Sequence, residues 1–391
     1  MSVQLNVFDF VSPSTLILPI LPEINTRAWD SSQNLSNPSS RYQGYLNELC
    51  LQVILLWLHA EITPQAKTSF CTTALPSFWE LVNGTVVDID EQRMVVVPQE
   101  SIDFSELRIP QEWVDIPEYI GDYYLGVSVN PDASYVCLWG YTTHAALKNR
   151  GSYDPHTRTY AIAQTDLIDD MSIFPTVGEL CPNERTRTQI IPPPPLSPTQ
   201  AENLIDRLAN PAILAPRLQV PFATWSSLIA NGGWRQSLYL RRLGLPEQFA
   251  ILGWLERGVS QFASQLGWSR LQLQTGFAGA RSLEQSQNTL ILSRQLAIAG
   301  QSYELRIVPQ THNGERTWRF EFRNAIAGGA IPGGFKLRLL TEDLQPLPNN
   351  EDVATTATDL LFVEVALAPN EGIVWEIEPL PENYEREILR F

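Results

Sequence analysis

Lysine is almost missing from this chain. Only Lys67, Lys148 and Lys336 occur, so 24 of the 27 basic residues are arginine, the cation whose rigid donor fork suits fixed ion pairs. Cysteine is equally sparse. Cys50, Cys71, Cys137 and Cys181 are widely spaced and form no Cys-x-x-Cys pair, which removes the usual zinc and redox signatures. They read as buried free thiols in a reducing cytoplasm, in a chain large enough to fold without disulfides. No metal and no cofactor is expected. Long apolar runs are lacking too. The longest, Leu49 to Leu58, is broken by Gln52, against about twenty residues for a membrane span. The opening residues, Met1 to Phe10, have no basic region and carry Asp9, so neither a secretory signal nor a membrane anchor is expected. No P-loop, dinucleotide fingerprint, nucleophile elbow or kinase set occurs. Glycine (22) and proline (29) are near ordinary usage, which excludes collagen-like and low-complexity chains.

What is present describes a globular chain. At roughly 100–200 residues per domain, 391 residues make two or three domains. Apolar residues at 44% can build cores, and 18% charge is too little for a disordered chain. The net charge of −16 argues against a dedicated polyanion binder and favours solubility. That charge is segregated. Residues 1–190 hold 23 acids and 10 bases, residues 200–341 hold 8 acids and 15 bases, and residues 342–391 hold 12 acids and 2 bases. A basic middle therefore lies between acidic ends.

Ile191–Pro198, with four consecutive prolines, reads as a semi-rigid linker. It divides an N-terminal α+β domain, 1–190, from a mostly helical, arginine-rich segment, 199–300. A β-rich tail, 301–391, completes the chain. In the first domain Tyr45, Leu46, Leu49, Val53, Leu56 and Trp57 keep helical spacing. They predict a long helix capped by Ser39–Ser40 and ending near Glu61. Strands are predicted at Phe78–Val87, Arg93–Pro98, Glu112–Ile116, Tyr123–Val129, Ser134–Tyr141 and Thr159–Ile162, giving a twisted sheet or partial barrel that carries the helix. After the linker, Ser197-Pro-Thr-Gln200 is a capping box opening a helix to about Ala209. Helices follow at Thr224–Ile229, Gly233–Leu243 and Pro246–Leu266. From Ser302 the period becomes two, and five short strands suggest an immunoglobulin-like β-sandwich.

Two pairs are candidates for catalysis in a hydrolase-type reading of the first domain. Cys137 and His144 could supply a nucleophile and base, and Asp154 and His156 flank Pro155 in a turn. Alternation along the strand places Cys137 in the core, and Asp154 equally reads as a turn cap. His59 reads as a dipole partner at its helix end. The partner-binding candidates are Trp234, Arg235, Tyr239, Arg241 and Arg242. Basic side chains interleaved with aromatics suit an acidic protein partner. Nucleic acid is the weaker alternative, because the overall field repels phosphate. The plainest reading has the acidic ends shielding these arginines.

Several segments carry a resemblance. Glu112–Leu125 (EWVDIPEYIGDYYL), Leu138–Lys148 (LWGYTTHAALK), Gly151–Pro155 (GSYDP), Gly334–Asp343 (GFKLRLLTED), Asn350–Ala354 (NEDVA), Gly372–Pro379 (GIVWEIEP) and Arg386–Phe391 (REILRF) resemble domain-of-unknown-function family number 1822. The likeness spans nearly the whole chain and brings no catalytic residues with it. It implies a cyanobacterial, cytoplasmic protein in a regulatory setting linked to sigma-factor and signalling genes. The expectation is a non-enzymatic interaction or regulatory protein.

Overall fold

The computed structural model describes residues 15–101, 103–171, 174, 185–245, 249–274, 288–312, 315–369 and 371–391. Met1 to Phe10, Cys181 and the helix start expected at Pro246 lie outside these. Two compact units are present, residues 1–195 with 207–230, and residues 196–206 with 231–391.

The first unit is built on a six-stranded mixed sheet. In chain order its elements are β1 (Leu16–Pro19), α1 (Pro22–Ser32), α2 (Pro38–Glu61), β2 (Lys67–Thr68), α3 (Leu75–Trp79), β3 (Thr85–Ile89), β4 (Gln92–Gln99), β5 (Glu106–Pro110), α4 (Glu112–Asp115), β6 (Tyr123–Asn130), β7 (Tyr135–Thr143), α5 (His144–Arg150), β8 (Ser152–Asp154) and β9 (Thr159–Ala163). Strand order is β1-β7-β6-β4-β3-β2, and only β4 and β6 pair in parallel. The middle of each of β3, β4, β6 and β7 is a run of consecutive buried residues, so both faces of the sheet are covered. A separate three-stranded sheet has the order β5-β9-β8. Helix α6 (Pro198–Leu208) then precedes α7 (Phe222–Ala230), which returns to this unit.

The long helix predicted from spacing is α2. Its cap is Asn37, not Ser39 or Ser40: Pro38 fills the first helical position, and the Asn37 side chain accepts from Ser40 N at 3.0 Å. Other local readings change. Phe78–Val87 is α3 followed by turns, with β3 starting only at Thr85. Glu112–Ile116 is a single helical turn, not a strand. Its first acid, Glu112, is buried and receives both Arg217 Nε (2.8 Å) and Trp225 Nε1 (2.9 Å).

The capping box at α6 forms as predicted. Ser197 N donates to Gln200 Oε1 at 3.1 Å, and Gln200 N donates to Ser197 Oγ at 3.4 Å. In the second unit follow α8 (Gly232–Arg242), α9 (Ile251–Arg257) and α10 (Gln261–Gln265). The long helix expected up to Leu266 is broken at Gly258, whose φ of 102° suits glycine. Strands begin at β10 (Trp268–Gln274) and β11 (Asn288–Ile298), earlier than expected. On β11 the residues 291–294, 296 and 298 are buried, and Arg294 occupies one of these core positions. A charge in the apolar file hides the strand from the sequence.

The remaining strands are β12 (Gln301–His312), β13 (Glu315–Asn324), β14 (Lys336–Thr341), β15 (Pro346–Val353), β16 (Leu361–Ala366), β17 (Gly372–Glu378) and β18 (Leu389–Arg390). They form sheets ordered β10-β11-β12-β13-β16 and β15-β14-β17-β18. Four consecutive strands lie side by side in the first sheet, whereas the immunoglobulin arrangement interleaves strands between sheets. Arg294 joins the two. It pairs with buried Glu387 and lies 5.7 Å from the ring centroids of Trp268 and Trp375.

Candidate functional site

In the first unit, Glu48, Gln52, Leu55 and His59 follow one another on α2 at intervals of four, three and four. Helical geometry puts them on a single stripe. This stripe forms one wall of a cavity of about 470 Å³, within the range of small-molecule sites. Ser31, Ser32 and Leu35 close it from the end of α1 and the following turn, Ala66 with Lys67 and Thr68 from β2 and its approach, and Leu75, Pro76 and Trp79 from α3. Its lining combines the apolar side chains of Leu35, Leu51, Leu55, Leu75 and Trp79 with a few polar groups.

Those polar groups have defined roles. Burial pushes the Glu48 carboxyl up from its ordinary value, partly opposed by the Gln52 amide, which donates at 3.0 Å, and by the Arg27 charge. His59 Nε2 lies 2.7 Å from the Ala66 carbonyl oxygen. A carbonyl only accepts, so Nε2 is the donor in this bond and Nδ1 takes no part in it. His59 does lie in the last turn of α2, and in addition it ties the helix end to the segment leading into β2. The indole N–H of Trp79 is buried and has no hydrogen-bond partner among the described residues. Hydrogen-bonding groups and an apolar wall thus share one concavity.

A family model described as "Protein of unknown function (DUF1822)" matches residues 18–390. The chain belongs to this family. No curated protein and no solved structure matches it. The resemblance carried by the segments from Glu112 to Phe391 is thereby established.

In this DUF1822 chain the sequence-predicted catalytic groups are already committed elsewhere. Cys137 is buried on β7, and burial raises its thiol to about 11. His144 begins α5, at the far end of the same strand. Six residues of extended chain separate Cys137 from Thr143, roughly 20 Å at 3.3 Å per residue, so the two cannot form a nucleophile–base pair. His144 is fully buried, with Nε2 2.9 Å from the Val114 oxygen while Nδ1 accepts from Thr188 N at 3.1 Å. Both nitrogens hold backbone, and burial lowers the ring's basicity.

Asp154 caps its own turn. Its carboxylate accepts from Thr157 Oγ1 (2.7 Å) and from His156 N (2.9 Å); these bonds, the Thr157 hydroxyl first, hold it below the ordinary range. It is the His156 backbone, not the imidazole, that Asp154 engages.

The partner-binding candidates lie on α8 and are not an open face. Trp234, Arg235, Tyr239 and Arg242 are all buried. Arg235 pairs with Glu385 of the C-terminal acidic stretch, and half-buried Arg241 pairs with Glu202 at 2.8 Å and with Asp206. Of these two, shielding by an acidic end describes Arg235 alone, because the partners of Arg241, Glu202 and Asp206, lie within the basic middle itself. A docking helix for an acidic partner or for nucleic acid needs accessible guanidinium groups, and these are consumed within the second unit.

The pocket residues escaped the sequence reading because a polar stripe on an amphipathic helix looks like a solvated face. The one available signal was the spacing of Glu48, Gln52 and His59 around Leu55. Nothing in the sequence brings α3 or the end of α1 to that stripe.

Proposed function

We propose that this protein is a non-enzymatic, cytoplasmic regulatory protein that binds a small molecule in the α2 pocket. The supporting observation is the 470 Å³ cavity in which Glu48, Gln52 and His59 share one helical stripe against an apolar wall. Glu48 offers a carboxyl group and Trp79 an unpartnered N–H, so the matching ligand has an apolar body and a polar head that hydrogen-bonds. The regulatory setting is inferred from the kind of protein the sequence resembles. The C-terminal sheets, bridged by Arg294, are read as the layers of a β-sandwich that serves as a scaffold.

Leu55→Trp tests this reading. Leu55 is half-buried on the cavity wall, so an indole there fills the space without entering the core. Nile red, an uncharged apolar dye, should show blue-shifted, saturable emission with the native protein and lose it with the variant. Equal emission from the two proteins would count against the pocket.

A further inference from the structure

The same two helices carry a second feature, and none of its residues lines the pocket. Trp29 on α1 is 52% exposed and Tyr42 on α2 is 41% exposed. Both rings lean on Tyr45, which is buried. Trp29 meets it edge-on at 5.5 Å between centroids, and Tyr42 lies at 5.9 Å. Tyr45 is fixed by its hydroxyl, which donates to Asn25 Oδ1 at 2.6 Å. Leu21, also exposed, precedes Asn25 and Trp29 at four-residue intervals and so shares their side of α1.

Carboxylates rim this aromatic group. The Tyr42 hydroxyl donates to Glu100. Asp132 sits on the β6–β7 turn, whose Ser134 carbonyl accepts from Ile20 N at 2.9 Å beside Leu21. Its charge reaches both Tyr42 and Tyr45.

Exposed tryptophan and tyrosine are the residues most enriched at binding hot spots, and their ring faces attract cations. We propose that Trp29, Tyr42 and Leu21, with the carboxylates of Glu100 and Asp132, form a docking surface for an arginine-bearing basic segment of a partner protein. Charge complementarity selects this occupant, since residues 1–190 hold 23 acids against 10 bases. A second copy of this chain would bring the same negative charge to the face. Arginine fits better than lysine because a planar guanidinium stacks on a ring while donating sideways to a carboxylate.

The test uses the full chain and a fluorescein-labelled peptide of alternating glycine and arginine, with citrulline in place of arginine as the uncharged control, followed by anisotropy. The native protein should bind the arginine peptide and bind the citrulline peptide at least about tenfold more weakly. Trp29→Ala should weaken arginine-peptide binding about tenfold, and Trp29→Phe, which keeps a ring, should weaken it less. Glu100→Gln with Asp132→Asn should weaken it and flatten its salt dependence. Leu55→Trp should leave it unchanged, which separates this surface from the pocket. Three results would overturn the proposal: binding insensitive to Trp29→Ala, equal binding of both peptides, or a native dimer in sedimentation that Trp29→Ala dissociates.

Discussion

Glu112 should control the stability of the segment that returns to the first unit. Its side chain is 1% exposed and accepts from Arg217 Nε at 2.8 Å, Arg217 Nη2 at 2.7 Å and Trp225 Nε1 at 2.9 Å. Removing one partner of such a buried pair costs about 3–5 kcal/mol, because the remaining charge stays desolvated. Arg217 keeps two other acceptors, the carbonyls of Thr157 and Arg158 at 2.8 Å, so the low end applies, about 3 kcal/mol. Glu112→Ala should therefore speed hydrogen exchange at amides of residues 216–230 about a hundredfold if they open locally. Peptides covering β12 and β13 in the second unit serve as the internal reference. Arg217→Met combined with Glu112→Leu should recover much of the protection, since an apolar pair leaves no orphaned charge. Exchange changed by less than about threefold in Glu112→Ala would show that the ion pair does not hold this segment, and the reasoning would fail.

Three further outcomes follow from the same chemistry. His144 is neutral when folded and its basicity is lowered by burial. The unfolded chain then binds more protons, so stability should fall as pH drops below about 6.5, and in His144→Asn urea midpoints should lose most of that dependence. Arg235→Ala leaves Glu385 unpaired and opens space in a buried site; it should lower second-unit stability by about 3 kcal/mol in urea denaturation, while native Arg235 stays unreactive to phenylglyoxal. Among the thiols of Cys50, Cys71 and Cys137, half-exposed Cys71 should be alkylated in the folded protein, and peptide mapping should find the buried pair modified only after unfolding.

Local chemistry was the most legible part of the fold. The Ser197–Gln200 capping box and the extent of α2 follow from short-range hydrogen bonding and spacing, and they form where expected. Misreadings arose where tertiary packing overrode the local pattern. Glu112-Trp-Val-Asp has strand-like composition, yet it winds into one turn so that Glu112 can meet Arg217, 105 residues on. Arg294 hid a strand because its charge is neutralised by Glu387, 93 residues away. Charge segregation was real in the sequence, but its meaning depended on pairings such as Arg235 with Glu385, 150 residues apart, which composition cannot report. The pocket was hidden for the same reason: only α2's stripe is local, and its other walls arrive through the fold.

Native mass spectrometry of the protein purified from its own cells without denaturation tests the central reading most directly. The wild-type chain should carry additional mass from a small molecule that is released on unfolding, and Leu55→Trp prepared identically should carry none. Wild-type and variant spectra showing the bare chain mass, or the same adduct on both, would contradict a ligand held in the α2 pocket.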